Sequence, residues 1–161
     1  PFKDSYRSGD IETVEVDLSA LEARLEWIDP AAGADLPSVP LSKAGIVVAA
    51  GRGMGDADGF ALVEQLAEAL GGVVAGSRGA FDEGWMSEEQ IVGVGGTSIA
   101  PDLYVACGLA GDTFHYFGIQ DARFIVALNV DENAPIMKTA NVAVLGDAKH
   151  VVPAMLEALA G

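Results

Sequence analysis

The sequence predicts a doubly wound α/β fold on a mostly parallel sheet, and three observations carry the prediction. Short apolar runs recur at Ile46–Ala50, Val73–Gly76, Leu103–Cys107, residues 124–128 and Val142–Leu145, each too short for a helix and each followed by a glycine or a polar residue. Stretches with helical spacing separate several of them, and that alternation needs crossover connections covering both faces of the sheet. The 20 glycines are too many for an all-helical bundle and gather after the apolar runs, where α/β loops need them.

The first 43 residues differ from the rest. Residues 13–18 alternate apolar and acidic side chains as a strand buried on one face does, and residues 23–28 share that character. Asp29-Pro30 and Leu36-Pro37-Ser38-Val39-Pro40 read as a linker, because each proline disfavours helix in the residue before it. This predicts an N-terminal strand arm and linker over residues 1–43, too poor in apolar surface to stand alone, and a main domain over residues 44–161. A first residue Pro1 rather than Met reads as a fragment or a processed form.

In the main domain Ile46–Ala50 predicts a fully buried strand. Phe60, Val63, Ala67 and Leu70, with Leu62 and Leu66 beside them, predict a helix over residues 58–70 that stops at Gly71-Gly72. Val73–Gly76 is the second strand. Residues 79–101 then form a long glycine-rich connection with a short turn at residues 87–90; a segment of that length is functional or disordered, and its apolar residues argue against disorder. Leu103–Cys107 is the third strand, and residues 111–117 form a short helix whose N-terminus points at the same sheet edge. Residues 124–128 and Val142–Leu145 are the fourth and fifth strands. A closing helix places Val151, Val152, Met155, Leu156 and Leu159 on one face, with Pro153 expected in its first turn.

Composition narrows the function. At 161 residues and 50% apolar the chain suits one ordinary core. With 24 acidic and 9 basic residues its net charge of -15 repels nucleic acid and anionic membranes at long range, so neither is expected as a partner, although an acidic surface also reads simply as a solvated one. No apolar run reaches membrane-spanning length. Cys107 is the only cysteine, which excludes an intrachain disulfide, and its apolar surroundings read as a buried thiol. No ligand spacing suggests a metal, and Asp56 and Asp58 read as solvated helix-start groups. Ser77 has no evident base, so no catalytic residue is expected.

Strand, glycine turn and helix open a nucleotide-binding unit. The N–H groups of Gly51-Arg52-Gly53-Met54-Gly55 and the following helix would cradle phosphate oxygens, with Arg52 adding positive charge; a merely tight connection is the other reading. The strands end at Gly51-Arg52, Ser77-Arg78, Gly108, Asn129 and Asp147, positions that share one edge of a parallel sheet, where ligands bind at the reversal of strand order. His115 either donates a hydrogen bond or carries charge there, or is packed without special purpose. His150, beside Lys149, reads as surface.

Gly51-Arg52-Gly53, Gly76-Ser77-Arg78, Ala100-Pro101-Asp102-Leu103-Tyr104, the run Gly111-Asp112-Thr113-Phe114-His115, Ala127-Leu128-Asn129-Val130-Asp131 with Ala134-Pro135-Ile136, Gly146-Asp147 and Val151-Val152-Pro153 appear in this order. As a set they resemble the C-terminal FAD-binding domain of the electron transfer flavoprotein alpha subunit over about residues 44–161. Residues 1–43 resemble, more weakly, the linking strands between that family's two domains. The resemblance implies a Rossmann-like domain that holds FAD noncovalently along the strand edge. It implies Arg52 at the adenosine diphosphate half, Ser77 and Arg78 beside the flavin ring, His115 at the pyrimidine carbonyl, and Asn129 and Asp147 at the ribose and adenine end. Gly93, Gly95, Gly96, Thr97, Ala110 and Gly111 complete the implied cofactor-binding set. This chain departs from the family in carrying Gly93-Val94-Gly95-Gly96 for Gly-Gln-Thr-Gly, so a hydroxyl near the flavin N5 would have to come from Thr97 or Ser98. Ala110 stands for a serine, Asp112 for a small residue and Phe114 for a glutamine, and an ionised acid beside a pyrophosphate is unfavourable.

The implied function is electron transport in a heterodimer with an electron transfer flavoprotein beta subunit. Electrons would come from flavin dehydrogenases such as acyl-CoA dehydrogenases, and the chain would transform no substrate of its own. The implied location is the cytoplasm of a bacterium or the mitochondrial matrix. Two readings of other classes stay open at this point: a cofactor-free interaction module that keeps the fold, and an enzyme domain binding a nicotinamide dinucleotide at the same edge.

Overall fold

The computed structural model describes residues 39–161. The strands expected at residues 13–18 and 23–28 lie outside the described residues. Five strands form one sheet: β1 (Ile46–Ala50), β2 (Val73–Gly76), β3 (Leu103–Cys107), β4 (Ile125–Asn129) and β5 (Val142–Leu145). All pair in parallel in the order β2-β1-β3-β4-β5, with Val48 opposite Val74 on one side and Val105 on the other. The doubly wound parallel sheet expected from the alternating pattern is the fold observed.

Side chains on successive strand residues point to opposite faces, and the two cores divide accordingly. Val47, Ala49, Tyr104, Ala106, Ile125 and Ala127 belong to one core, Val48, Ala50, Val105, Cys107 and Leu128 to the other. Helices α1 (Ala57–Ala69) and α5 (Ala148–Ala160) pack on the second face and on each other, burying Phe60, Val63, Leu66 and Val152. The short helices α3 (Thr113–Tyr116) and α4 (Pro135–Thr139) sit on the first face, where Ile119 and Ile136 are buried. Among the described residues no helix is long and apolar enough to cross a membrane.

Where the structure departs from the expected boundaries, local hydrogen bonding gives the reason. Helix α1 starts at Ala57 because the Asp56 carboxylate accepts the Gly59 N–H at 2.8 Å, capping the first turn. It ends in a left-handed Gly71, with Gly71 N–H donating to Glu68 and Gly72 N–H to Ala67, which together satisfy two terminal carbonyls. Strand β4 runs one residue later than expected, since Asn129 pairs with Leu145 while Phe124 stays exposed. Pro153 does not lie in the first turn of its helix: α5 begins at Ala148, so the proline sits in the second turn and offers no N–H to the Lys149 carbonyl. Packing of Val152, Met155 and Leu156 into the core holds the helix through that gap. The long connection is ordered by α2 (Arg78–Asp82), a 3-10 turn at Glu88–Gln90, and bridges pairing Gly76 with Ile91 and Val92 with Thr97. Ile91, Val92 and Ile99 from this segment are buried.

The sheet's hydrogen bonding continues past the strand ends. Gly51 N–H donates to the Cys107 carbonyl at 2.9 Å, Gly53 N–H to the Gly108 carbonyl at 2.8 Å, and Gly108 N–H to the Leu128 carbonyl at 2.9 Å. The turns after β1 and β3 thereby come so close that a Cβ at Gly51 would lie 2.4 Å from Leu109 Cα. Replacing Gly51 by alanine is expected to destabilise the fold by about 1–3 kcal/mol through overpacking. Gly71→Ala meets no neighbour and carries only the left-handed backbone cost of about 1 kcal/mol. Urea midpoints of the two variants check this, and a Gly51→Ala protein as stable as the parent would show that the turns can part.

Candidate functional site

At the carboxyl edge of the sheet lies a cleft of about 530 Å³, within the range of small-molecule sites. It is walled by Arg52 after β1, Ser77, Arg78 and Gly79 after β2, Gly108 to Asp112 after β3, and Asn129 and Asp131 after β4. Strand order reverses between β1 and β3, so the cleft straddles the point where open α/β sheets take ligands.

Four of the five N–H groups in the first glycine turn are taken up within the fold. Gly51 and Gly53 spend their N–H groups on the β3 turn, Met54 donates to Gly51 and Gly55 to Arg52, so these donors serve packing. The Arg52 N–H has no partner among the described residues, and a longer row of uncommitted donors follows β3. Among the described residues, none of the N–H groups of Leu109, Ala110, Gly111 and Asp112 has a partner, and all four residues line the cleft. Gly111 has a φ of 65°, and successive N–H groups around a left-handed residue form a concavity of the kind that binds anions.

Two guanidinium groups border this row. The Arg52 side chain passes over Gly79, where an added Cβ would lie 2.9 Å from Arg52 Nε. Arg78 sits with its Cζ 5.4 Å from the centre of the Phe81 ring, a cation–π contact. Neither has a carboxylate partner among the described residues. Asp112 turns its carboxylate into its own helix, where Oδ1 accepts the His115 N–H at 2.9 Å.

His115 lies in the cleft wall at 5% exposure. Its Nε2 is 2.7 Å from the Tyr104 hydroxyl, while Nδ1 is buried without a hydrogen bond. Desolvation lowers its pKa to about 4; the Asp112 carboxylate and, more weakly, the Val92 backbone pull the other way without reversing the shift. Of the two roles open to it, carrying charge is therefore disfavoured near neutral pH. Asn129 ties two strand ends together, donating from Nδ2 to the Leu109 carbonyl and accepting from Asp131 N–H. Cys107 is buried, and desolvation pushes its thiol up to about 12, which makes it inert.

Of the residues expected at a ligand, Arg52, Ser77, Arg78, Gly93, Ala110, Gly111, His115 and Asn129 share this cleft. Gly95 lies beside Arg78 without joining the cleft lining, and Gly96 is pressed onto the Ile91 carbonyl. Thr97 lines a separate hollow with Leu41 and Val73, so it supplies no hydroxyl to the cleft. Asp147 caps α5 by accepting the Lys149 N–H and stands 3.7 Å from the exposed His150. Asp56 is held below the usual carboxylate range, first by its hydrogen bond from Lys149 and then by the Gly59 N–H. Sequence reasoning passed over Tyr104, whose hydroxyl on an otherwise apolar strand was the available signal, and Gly79, which carried none. No cluster of metal-ligating side chains occurs among the described residues.

Among the described residues, these unspent N–H groups, two unpaired guanidinium groups and an orphaned imidazole nitrogen fit an anionic dinucleotide. The comparisons agree. Residues 40–120 match the family described as the electron transfer flavoprotein FAD-binding domain. The chain is similar to Protein FixB of Clostridium saccharobutylicum, 41% identical over 91% of this chain and 43% of that one. It is similar to the electron transfer flavoprotein subunit alpha of Bacillus subtilis (40% identical, 96% of this chain and 47% of that one) and of Paracoccus denitrificans (39%, 94% and 49%). The chain thus spans less than half the length of each of these relatives.

Burial of neutral His115 predicts an acid-labile fold. Its folded pKa, lowered to about 4, lies below the unfolded value of 6.5, so the unfolded state binds more protons between those values and stability falls as pH falls through that window. Between pH 7 and 5 the expected loss from this group is about 2 kcal/mol. Urea unfolding of the parent and of His115→Gln measures it; equal slopes against pH would remove His115 as the cause.

Proposed function

The chain belongs to the family of electron transfer flavoprotein FAD-binding domains, and from that membership we propose that it holds FAD noncovalently at the carboxyl edge of its sheet and works as an electron carrier. The observation that carries the reading is the row of unspent N–H groups at Leu109, Ala110, Gly111 and Asp112 beside Arg52 and Arg78, in a chain with a net charge of -15. A surface so acidic repels a pyrophosphate unless local donors offset it, and these donors do so.

In this reading the N–H row and Arg52 hold the diphosphate half, Asn129 serves the ribose end, and Ser77, Arg78, Gly93 and His115 serve the flavin end. Bound FAD supplies the redox chemistry. Arg78, braced on Phe81, offsets the negative charge that reduction leaves and raises the potential. His115, neutral near pH 7, contributes hydrogen bonding and shape rather than charge.

The wider role is part of the same proposal. The names of the relatives support a partner beta subunit, and their length supports residues 1–43 as a connection to further chain. A flavin dehydrogenase such as an acyl-CoA dehydrogenase delivers the electrons, and the chain converts no substrate itself. The proposed location is bacterial cytoplasm or the mitochondrial matrix; a relative from Dictyostelium discoideum is named as mitochondrial.

The direct test is the absorption spectrum of the full-length alpha and beta pair, with oxidised flavin bands expected. A colourless pair whose melting temperature is unmoved by FAD would turn the reading toward a cofactor-free module, and saturation by NADH alone toward a nicotinamide enzyme. In the loaded pair, Arg78→Ala is expected to lower the flavin potential by about 30–60 mV, the equivalent of one hydrogen bond to a charged group. Potentiometric titration reads that shift, and an unchanged value removes Arg78 from the mechanism.

A further inference from the structure

The pairing of Tyr104 with His115 remains unused by the reading above. Tyr104 stands on β3 with no exposure, its hydroxyl 2.7 Å from His115 Nε2 and the ring centres 6.1 Å apart. Among the described residues, Nε2 is the hydroxyl's only hydrogen-bond partner. His115 Nδ1 has none.

Counting protons orients the pair. A neutral imidazole offers one donor nitrogen and one acceptor nitrogen, and a phenol has one proton to give. If the phenol donates to Nε2, the ring proton sits on Nδ1, and that proton and the phenol oxygen's lone pair are left without partners. If Nε2–H donates to the phenol oxygen instead, the phenol proton and the Nδ1 lone pair are both stranded. Each arrangement strands one donor and one acceptor, so strength decides: the imidazole nitrogen accepts far better than a phenol oxygen, whose lone pairs are delocalised into its ring, and the arrangement that joins the phenol proton to that nitrogen is favoured. Protonating the ring is worse again, because both nitrogens become donors, the phenol must accept, and its proton is left in an apolar core with a buried charge beside it.

We infer that Tyr104 is a positioning residue for His115: by donating its hydroxyl proton to Nε2 it holds the imidazole as the neutral Nδ1–H tautomer within the cleft wall. The tautomer follows from the pair's geometry and from the donor and acceptor strengths of its two groups. Its consequence for the cofactor rests on the FAD reading: with His115 locked neutral, Arg78 is left to supply positive charge at the flavin end.

The test uses the full chain without cofactor, labelled with ¹⁵N-histidine. Only two histidines contribute, and His150, with a side chain 87% exposed, gives the other signal. The parent should show His115 as the Nδ1–H form at pH 7, with a Tyr104 hydroxyl proton correlated to Nε2. In Tyr104→Phe the ratio of Nδ1–H to Nε2–H forms should fall about tenfold, the size of one net hydrogen bond. An Nε2–H form in the parent overturns the proposal without any substitution, as does an unchanged ratio in a folded Tyr104→Phe. Should that variant not fold, the parent's tautomer and its hydroxyl correlation still decide. The FAD reading fails separately: a loaded pair without flavin bands would sink it while the tautomer result stands.

Discussion

The close approach of the turns after β1 and β3 is the constraint from which the carboxyl edge of this protein is built. Gly51, Gly53 and Gly108 lack the side chains that would hold these turns apart, and their N–H groups extend the sheet's hydrogen bonding one step beyond the strands. Two results follow from that one contact. The first glycine turn spends four of its five N–H groups within the fold, and the chain leaving Gly108 is set against it with its next four N–H groups unspent among the described residues. A motif that promises a phosphate cradle after the first strand thus keeps one uncommitted N–H there, at Arg52, while the longer row of donors follows the third.

Electrostatics gives the cleft its selectivity. A chain with a net charge of -15 holds anions only where local donors outweigh the general field, and the cleft brings Arg52 and Arg78 together without any carboxylate partner among the described residues. Of the two acids in the cleft wall, Asp112 has its carboxylate engaged as a helix cap and Asp131 accepts the Asn133 N–H. His115 adds no charge, since its burial and its bond to Tyr104 favour the neutral ring. Positive charge in the cleft is therefore the work of arginines, and the imidazole is part of the wall.

The strands were legible because burial on both faces demands unbroken apolar runs, as in Ile46–Ala50 and Leu103–Cys107. The same criterion found β5, yet that strand lies at the sheet edge and exposes Val142 and Leu145, so composition located it without revealing its surroundings. Helix ends and the position of Pro153 were less legible, because caps such as Asp56 and the core packing of α5 settle them through contacts with other parts of the chain. Residues meeting in the cleft from the ends of different strands were largely anticipated, since parallel strands place their carboxyl ends on one side. Those anticipated from the resemblance alone divided: Ala110 and Gly111 line the cleft, whereas Thr97 lines a separate hollow; Asp147, anticipated also as a strand-end residue, caps a helix.

By itself, the sequence determined the order and type of the elements, the parallel sheet and the edge at which a ligand meets it, because these follow from hydrophobic periodicity and from glycine's freedom to turn. Only the tertiary structure decided which backbone donors remain free and that a tyrosine eleven positions away holds the histidine of the cleft. Both depend on which hydrogen-bonding partners the fold brings within 3 Å of one another, and such distances between separated segments leave no trace in local pattern.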